Sequence, residues 1–114
     1  MTKMRKIATE EAWTIPEVAH ALRDVSRGPS QSLDKLLVGG IYDPPADASG
    51  YSAMNFLDGL LDIEEKRLPE MEALGVDMHL LSLTAPGVQM FDADTATDLA
   101  ALANDRLAEI CRKR

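Results

Sequence analysis

A chain of 114 residues has single-domain length: it can bury one core but is too short for a closed barrel of eight strand–helix units, which takes about 250 residues. Hydrophobic residues make up 46% and charged residues 27%, a globular composition, and an aromatic content of 4% leaves the core to Leu, Ala, Met and Val. Twelve basic residues against 19 acidic ones give a net charge of −7, which opposes phosphate backbones and anionic lipid, so no nucleic-acid or membrane partner is expected.

The polar start "MTKMRK" lacks the apolar stretch of a secretory leader, and no apolar run reaches the roughly 18 residues of a membrane span, so the expected location is the cytoplasm. The single cysteine, Cys111, excludes an internal disulfide and a multi-cysteine zinc site; its spacing from Leu107 predicts a small core residue on a helix face.

In chain order, Lys6 to Thr9 reads as a short strand running into the adjacent carboxylates Glu10 and Glu11. "IPEVAHALRDV" predicts a short helix with Pro16 in its first turn and Val18, Ala21, Leu22 and Val25 on its apolar face; His20 falls on its surface. From Ser26 to Ala53 the chain is rich in Gly, Pro, Ser and Asp and reads as one long loop, functional or disordered.

"NFLDGLLDIEEKRLPEMEALG" places Leu57, Leu60, Leu61, Leu68, Met71 and Leu74 at helical spacing and stops at Gly75, with Pro69 expected to kink or divide the helix. Within it, "DIEEKR" reads as an exposed, internally paired helix face. "VDMHLLSL" predicts a strand buried on both faces, which makes His79 a core histidine rather than a ligand.

"TAPGVQMF" reads as a loop, and the last segment as a helix capped by Asp92 or Asp94, with Leu99, Ala103, Leu107 and Ile110 on one face and a basic end at Arg112 to Arg114. Met54, Met71, Met78 and Met90 read as core filler.

Strand, helix, helix, strand, helix predicts an α/β unit with parallel strands, in which "EEAW" and "TAPGVQ" both fall just after a strand, at the mouth of the sheet. Taken alone, Glu10 and Glu11 read as solvated residues at a strand end ahead of a site. Ser82 and Cys111 have no histidine partner pattern, so an independent hydrolase is disfavoured and no catalytic residue is assigned.

"KIATEEAWTIPE", "RLPEMEALGVDMHLLSLTAPGVQ" and "ALANDRLAEICRKR" together resemble the first strand, second strand and following helix of the metal-dependent amidohydrolase-related family, which includes decarboxylases of dihydroxybenzoates and of aminocarboxymuconate semialdehyde. The resemblance implies the first two strand–helix units of a TIM-like (β/α)8 barrel, incomplete in this chain, as a single N-terminal segment over residues 1–114. It implies that Glu10 is a position for a divalent metal, zinc, manganese or magnesium, which the chain alone need not hold. Ala12 stands where many members carry a second ligand, a histidine; the pattern "EEAW" is closer to the dihydroxybenzoate branch.

Ala12, Trp13, Thr84, Ala85 and Pro86 are implied to line the pocket of a small aromatic carboxylate. In complete members a histidine and an aspartate from later strands finish the metal site, the substrate carboxylate chelates the metal, and the aspartate moves a proton to the ring carbon that loses CO2. Neither later ligand occurs in these 114 residues. The expectation is therefore a segment of an aromatic-acid decarboxylase, inactive alone, that self-associates or pairs with the rest of a barrel. The alternative is a noncatalytic oligomerisation or docking module derived from it.

Overall fold

The computed structural model describes residues 2–29, 32–47 and 55–114. Met54 and the end of the expected long loop lie outside them. In order come β1 (Ile7–Trp13), α1 (Pro16–Ser26), α2 (Leu33–Tyr42), α3 (Phe56–Leu61), α4 (Arg67–Leu74), β2 (Met78–Leu83) and α5 (Ala93–Lys113). The two strands pair in parallel, as the α/β alternation requires.

β1 runs four residues past its expected end, so Glu10 to Trp13 belong to the strand and not to a loop after it. The ladder holds Ile7 to Met78 and Ala8 to His79, then resumes with Glu11 to Leu81, so Thr9 and Glu10 together oppose Leu80 in a β-bulge. Glu10 absorbs the surplus residue at φ 57°, a left-handed conformation that costs a non-glycine residue roughly 1–2 kcal/mol. The bulge shifts the side-chain alternation: Ala8, Glu11 and Trp13 share the face of His79, Leu81 and Leu83, whereas an unbroken ladder would have placed Glu10 and Ala12 there.

The helices cover that face. Trp13, Ile15, Val18, Ala19 and Leu22 meet Val38 and Tyr42 of α2 and Ala103 of α5 in one core, bordered by Leu81, Leu83, Leu99 and Leu107. The opposite face of β2 is open: Met78 is 43% and Leu80 58% exposed. Burial on both faces, the expectation for β2, is thus corrected, because two strands have helices on one side only. Met78 is likewise not core filler. Cys111 is also exposed, on the outer side of the final turns of α5.

α2 replaces much of the expected loop. The Ser32 hydroxyl accepts the Lys35 amide at 3.1 Å, a helix cap, and Val38 and Tyr42, one turn apart, fill the core. Asp43, just past the helix, accepts from Arg23 at 3.1 Å and from Arg27 at 2.7 and 2.9 Å, tying α2 to α1. The Arg27 guanidinium, with Arg23 beside it, holds the Asp43 carboxyl below its ordinary range.

The expected long helix is divided, but not at Pro69. The break spans Asp62 to Lys66, and Pro69 sits in the first turn of α4, where its missing N–H costs no helical bond. Asp62 makes the break: its carboxylate accepts the amides of Glu65, Lys66 and Arg67 at 3.2, 3.0 and 2.8 Å. Burial raises the Asp62 carboxyl, and those three donors together bring it below the ordinary value. "DIEEKR" is consequently a capping turn rather than a helix face. Gly75 closes α4 at φ 68°, as expected. Among the described residues no helix is long and apolar enough to cross a membrane.

Candidate functional site

The bulge separates the two adjacent carboxylates. Glu10 stands exposed at the irregularity. Glu11 turns under the helix-covered face, where its Oε2 lies 4.0 Å from Arg67 Nη1 and 4.0 Å from His79 Nδ1. His79 Nδ1 is buried and has no hydrogen-bond partner among the described residues, so this histidine is enclosed but not satisfied. Glu11, Arg67 and His79 border a cavity of about 250 Å³ together with Gly59, Asp62, Lys66 and Glu70.

The implied pocket residues divide into two groups. Ala12 is half-buried, with its carbonyl accepting Arg67 Nη2 at 2.9 Å. Trp13 is 3% exposed and lies within the core. Its carbonyl accepts the Thr84 amide at 2.8 Å, which sets the ends of the two strands side by side. Thr84 in turn accepts from the amide of Gly87, at φ 63°, and the Ala85–Pro86 peptide bond within this tight turn is cis.

Ala85 and Pro86 line a second cavity, of about 200 Å³, with Gln89 and Met90 from the same loop and Asp34 and Leu37 from α2. Glu10 and Trp13 do not border it. Asp34 and Leu37 were not legible as site candidates, because their helix reads as loop; the interval from Ser32 to Leu36, Leu37 and Val38 is the signal that marks it. Arg67 was concealed in the charged run.

A metal site needs several convergent donors, and a transition metal ordinarily takes three or four. Among the described residues no three His, Cys, Asp or Glu side chains come together to hold an ion. Glu10 offers one exposed carboxylate, and the described residues do not by themselves fit a bound metal.

Comparison with known proteins gives a consistent picture. No protein-family model matches the sequence. The gamma-resorcylate decarboxylase of Rhizobium sp. (strain MTP-10005) is 50% identical over 56 residues, which are 48% of this chain and 17% of that protein. The 5-carboxyvanillate decarboxylase of Sphingomonas paucimobilis matches 98% of this chain at 50% identity with a TM-score of 0.87, over 32% of its own length. The 5-carboxyvanillate decarboxylase of Novosphingobium aromaticivorans, solved with manganese and 4-hydroxy-3-methoxy-5-nitrobenzoic acid, matches 96% at 37% identity and a TM-score of 0.80, over 30% of its length. The chain thus spans a third or less of the length of the proteins it matches.

Proposed function

We propose that this chain, a partial match to the aromatic-acid decarboxylases of the metal-dependent amidohydrolase-related family, supplies the first two strand–helix units of such an enzyme's barrel. In this reading residues 1–114 act as one N-terminal segment, and the reaction is the non-oxidative loss of CO2 from a phenolic aromatic acid of the dihydroxybenzoate or 5-carboxyvanillate kind. The observation that carries it is the backbone match to the Sphingomonas enzyme over 98% of the chain at 50% identity. The left-handed bulge at Glu10 supports it, because strained bulges collect where a strand must aim a functional group.

Glu10 then contributes one carboxylate to a divalent-metal site completed by polypeptide outside these 114 residues. Thr84, Ala85 and Pro86 shape the rim beside the strand ends, where their tight turn and the neighbouring Leu37 and Met90 offer an apolar edge to an aromatic ring. Ala12 leaves room at the strand position next to the carboxylates, and Trp13 supports that position from the core.

The test is a chimera in which this chain replaces the matching segment of the Sphingomonas enzyme. The chimera is expected to decarboxylate 5-carboxyvanillate with manganese, and Glu10→Ala is expected to lower its turnover on the order of 100-fold or more. The 114-residue chain alone is expected to show no turnover under the same conditions. A folded chimera without activity, or a Glu10→Ala chimera with undiminished activity, would overturn the reading.

The open face of the sheet favours a second reading, a docking module. Ile7, Met78 and Leu80 form an uncovered apolar row that another chain could cover. Stable self-association of the 114-residue chain, together with an inactive chimera, is the result that would favour it.

A further inference from the structure

We infer that Arg67 is a positioning residue for Glu10: its guanidinium fixes β1 immediately beyond the bulge and so holds Glu10 in its left-handed conformation. The functional meaning rests on the proposed role of Glu10 in a metal site. The mechanical argument rests on hydrogen bonds.

Successive carbonyls of a strand point to opposite edges. Trp13 O is taken by Thr84 on the β2 side, so Ala12 O turns to the outer edge. There Arg67 Nη2 donates to it at 2.9 Å and to Gly59 O at 3.1 Å, while Nε donates to Asp62 O at 3.0 Å. Three carbonyls, from β1, α3 and the capping turn, are joined by one rigid fork. The side chain is 12% exposed, and its backbone amide is itself fixed by Asp62. A lysine cannot reproduce this, because its ammonium lacks the planar array of donors.

The other end of β1 is fixed as well. Lys6 donates its amide to Asp77 Oδ2 at 2.8 Å, and its carbonyl accepts the Asp77 amide at 2.9 Å. Between these two attachments β1 has one residue more than β2. With both ends held, the surplus cannot slip along the ladder and stays out of register at Thr9 and Glu10. The guanidinium thus acts at a distance of two residues, through the backbone, without touching the Glu10 carboxylate in the role assigned to it.

The test uses the isotopically labelled 114-residue chain with Arg67→Lys and Arg67→Ala. The three-bond amide–Hα coupling and the Cα and Cβ shifts of Glu10 report its φ directly, while the methyl signals of Leu22 and Val38 report the core. Loss of the left-handed signature at Glu10 in Arg67→Lys, with those methyl signals in place, is expected.

Glu10→Gly supplies a second readout. It is expected to raise the denaturation midpoint of the parent chain, and that gain is expected to vanish when Arg67→Lys is also present, because the bulge is then free to relax. An unchanged Glu10 conformation in Arg67→Lys, or strictly additive effects of the two substitutions, would overturn the proposal. Should Arg67→Ala fail to fold, the lysine variant decides alone. Neither readout involves metal or substrate, so failure of the decarboxylase reading is distinguishable from failure of this one.

Discussion

Arg106 and Glu17 meet in a two-point fork across 89 residues of sequence, Nη1 to Oε2 at 2.6 Å and Nη2 to Oε1 at 2.9 Å, joining α5 to the first turn of α1. The Arg106 guanidinium holds the Glu17 carboxyl below its ordinary range. A carboxyl depressed on folding contributes stability above its unfolded value, about 4.3, and that contribution is lost as pH falls through the folded value. Both side chains are partly exposed, so the expected size is below about 1 kcal/mol and falls with salt. Glu17→Gln should therefore lower the urea midpoint at pH 7 and make no difference in acid below both values. Equal losses at the two pH values would contradict this account.

Gly75→Ala should destabilise the chain through the backbone alone. Gly75 sits at φ 68°, and a Cβ there would meet only Lys6 Nζ, at 3.9 Å, an ordinary contact. The expected loss is about 1 kcal/mol, or roughly 4–8 °C in the melting temperature of a domain this size. A neutral substitution would show that α4 ends differently in solution.

Leu22 and Leu36 offer a paired test of the core. Leu22 is fully buried between helices, whereas Leu36 projects from α2 into solvent. Leu22→Ala should cost roughly 2–5 kcal/mol and Leu36→Ala less than about 0.5 kcal/mol, as measured by denaturant titration. Comparable losses would mean that the outer side of α2 is covered, for instance by a second copy of the chain.

Ser32→Ala removes the cap of α2 and should cost about 1 kcal/mol. The amide shifts of Leu33 to Lys35 should respond first, because the hydroxyl holds the Lys35 amide. If those shifts stay in place, the cap is not what starts this helix.

The sequence was most informative where a local rule acted without competition. Pro16 opening α1, Gly75 closing α4 and Asp92 capping α5, where its carboxylate accepts the Thr95 amide at 2.9 Å, all follow from the residue's own chemistry. It was least informative where tertiary contacts outweighed composition. Gly39 and Gly40 make α2 look like loop, yet burial of Val38 and Tyr42 on α1 carries the helix through them. Asp62, with three amides to satisfy, broke a helix that Pro69 was expected to break. As for the site, the Glu10–Glu11 pair was visible as a strand end, but their assignment to different environments depends on a surplus residue that is only defined once β2 lies alongside.

That surplus residue has a consequence for inheritance. Loss of one codon at Thr9 or Glu10 would remove the surplus and leave a regular ladder: the remaining residue would oppose Leu80, Glu11 would still face Leu81, and Trp13 would stay in the core. A lineage carrying this strand can therefore shed the bulge in a single step without disturbing the core, and what it gives up is the left-handed position at which Glu10 stands.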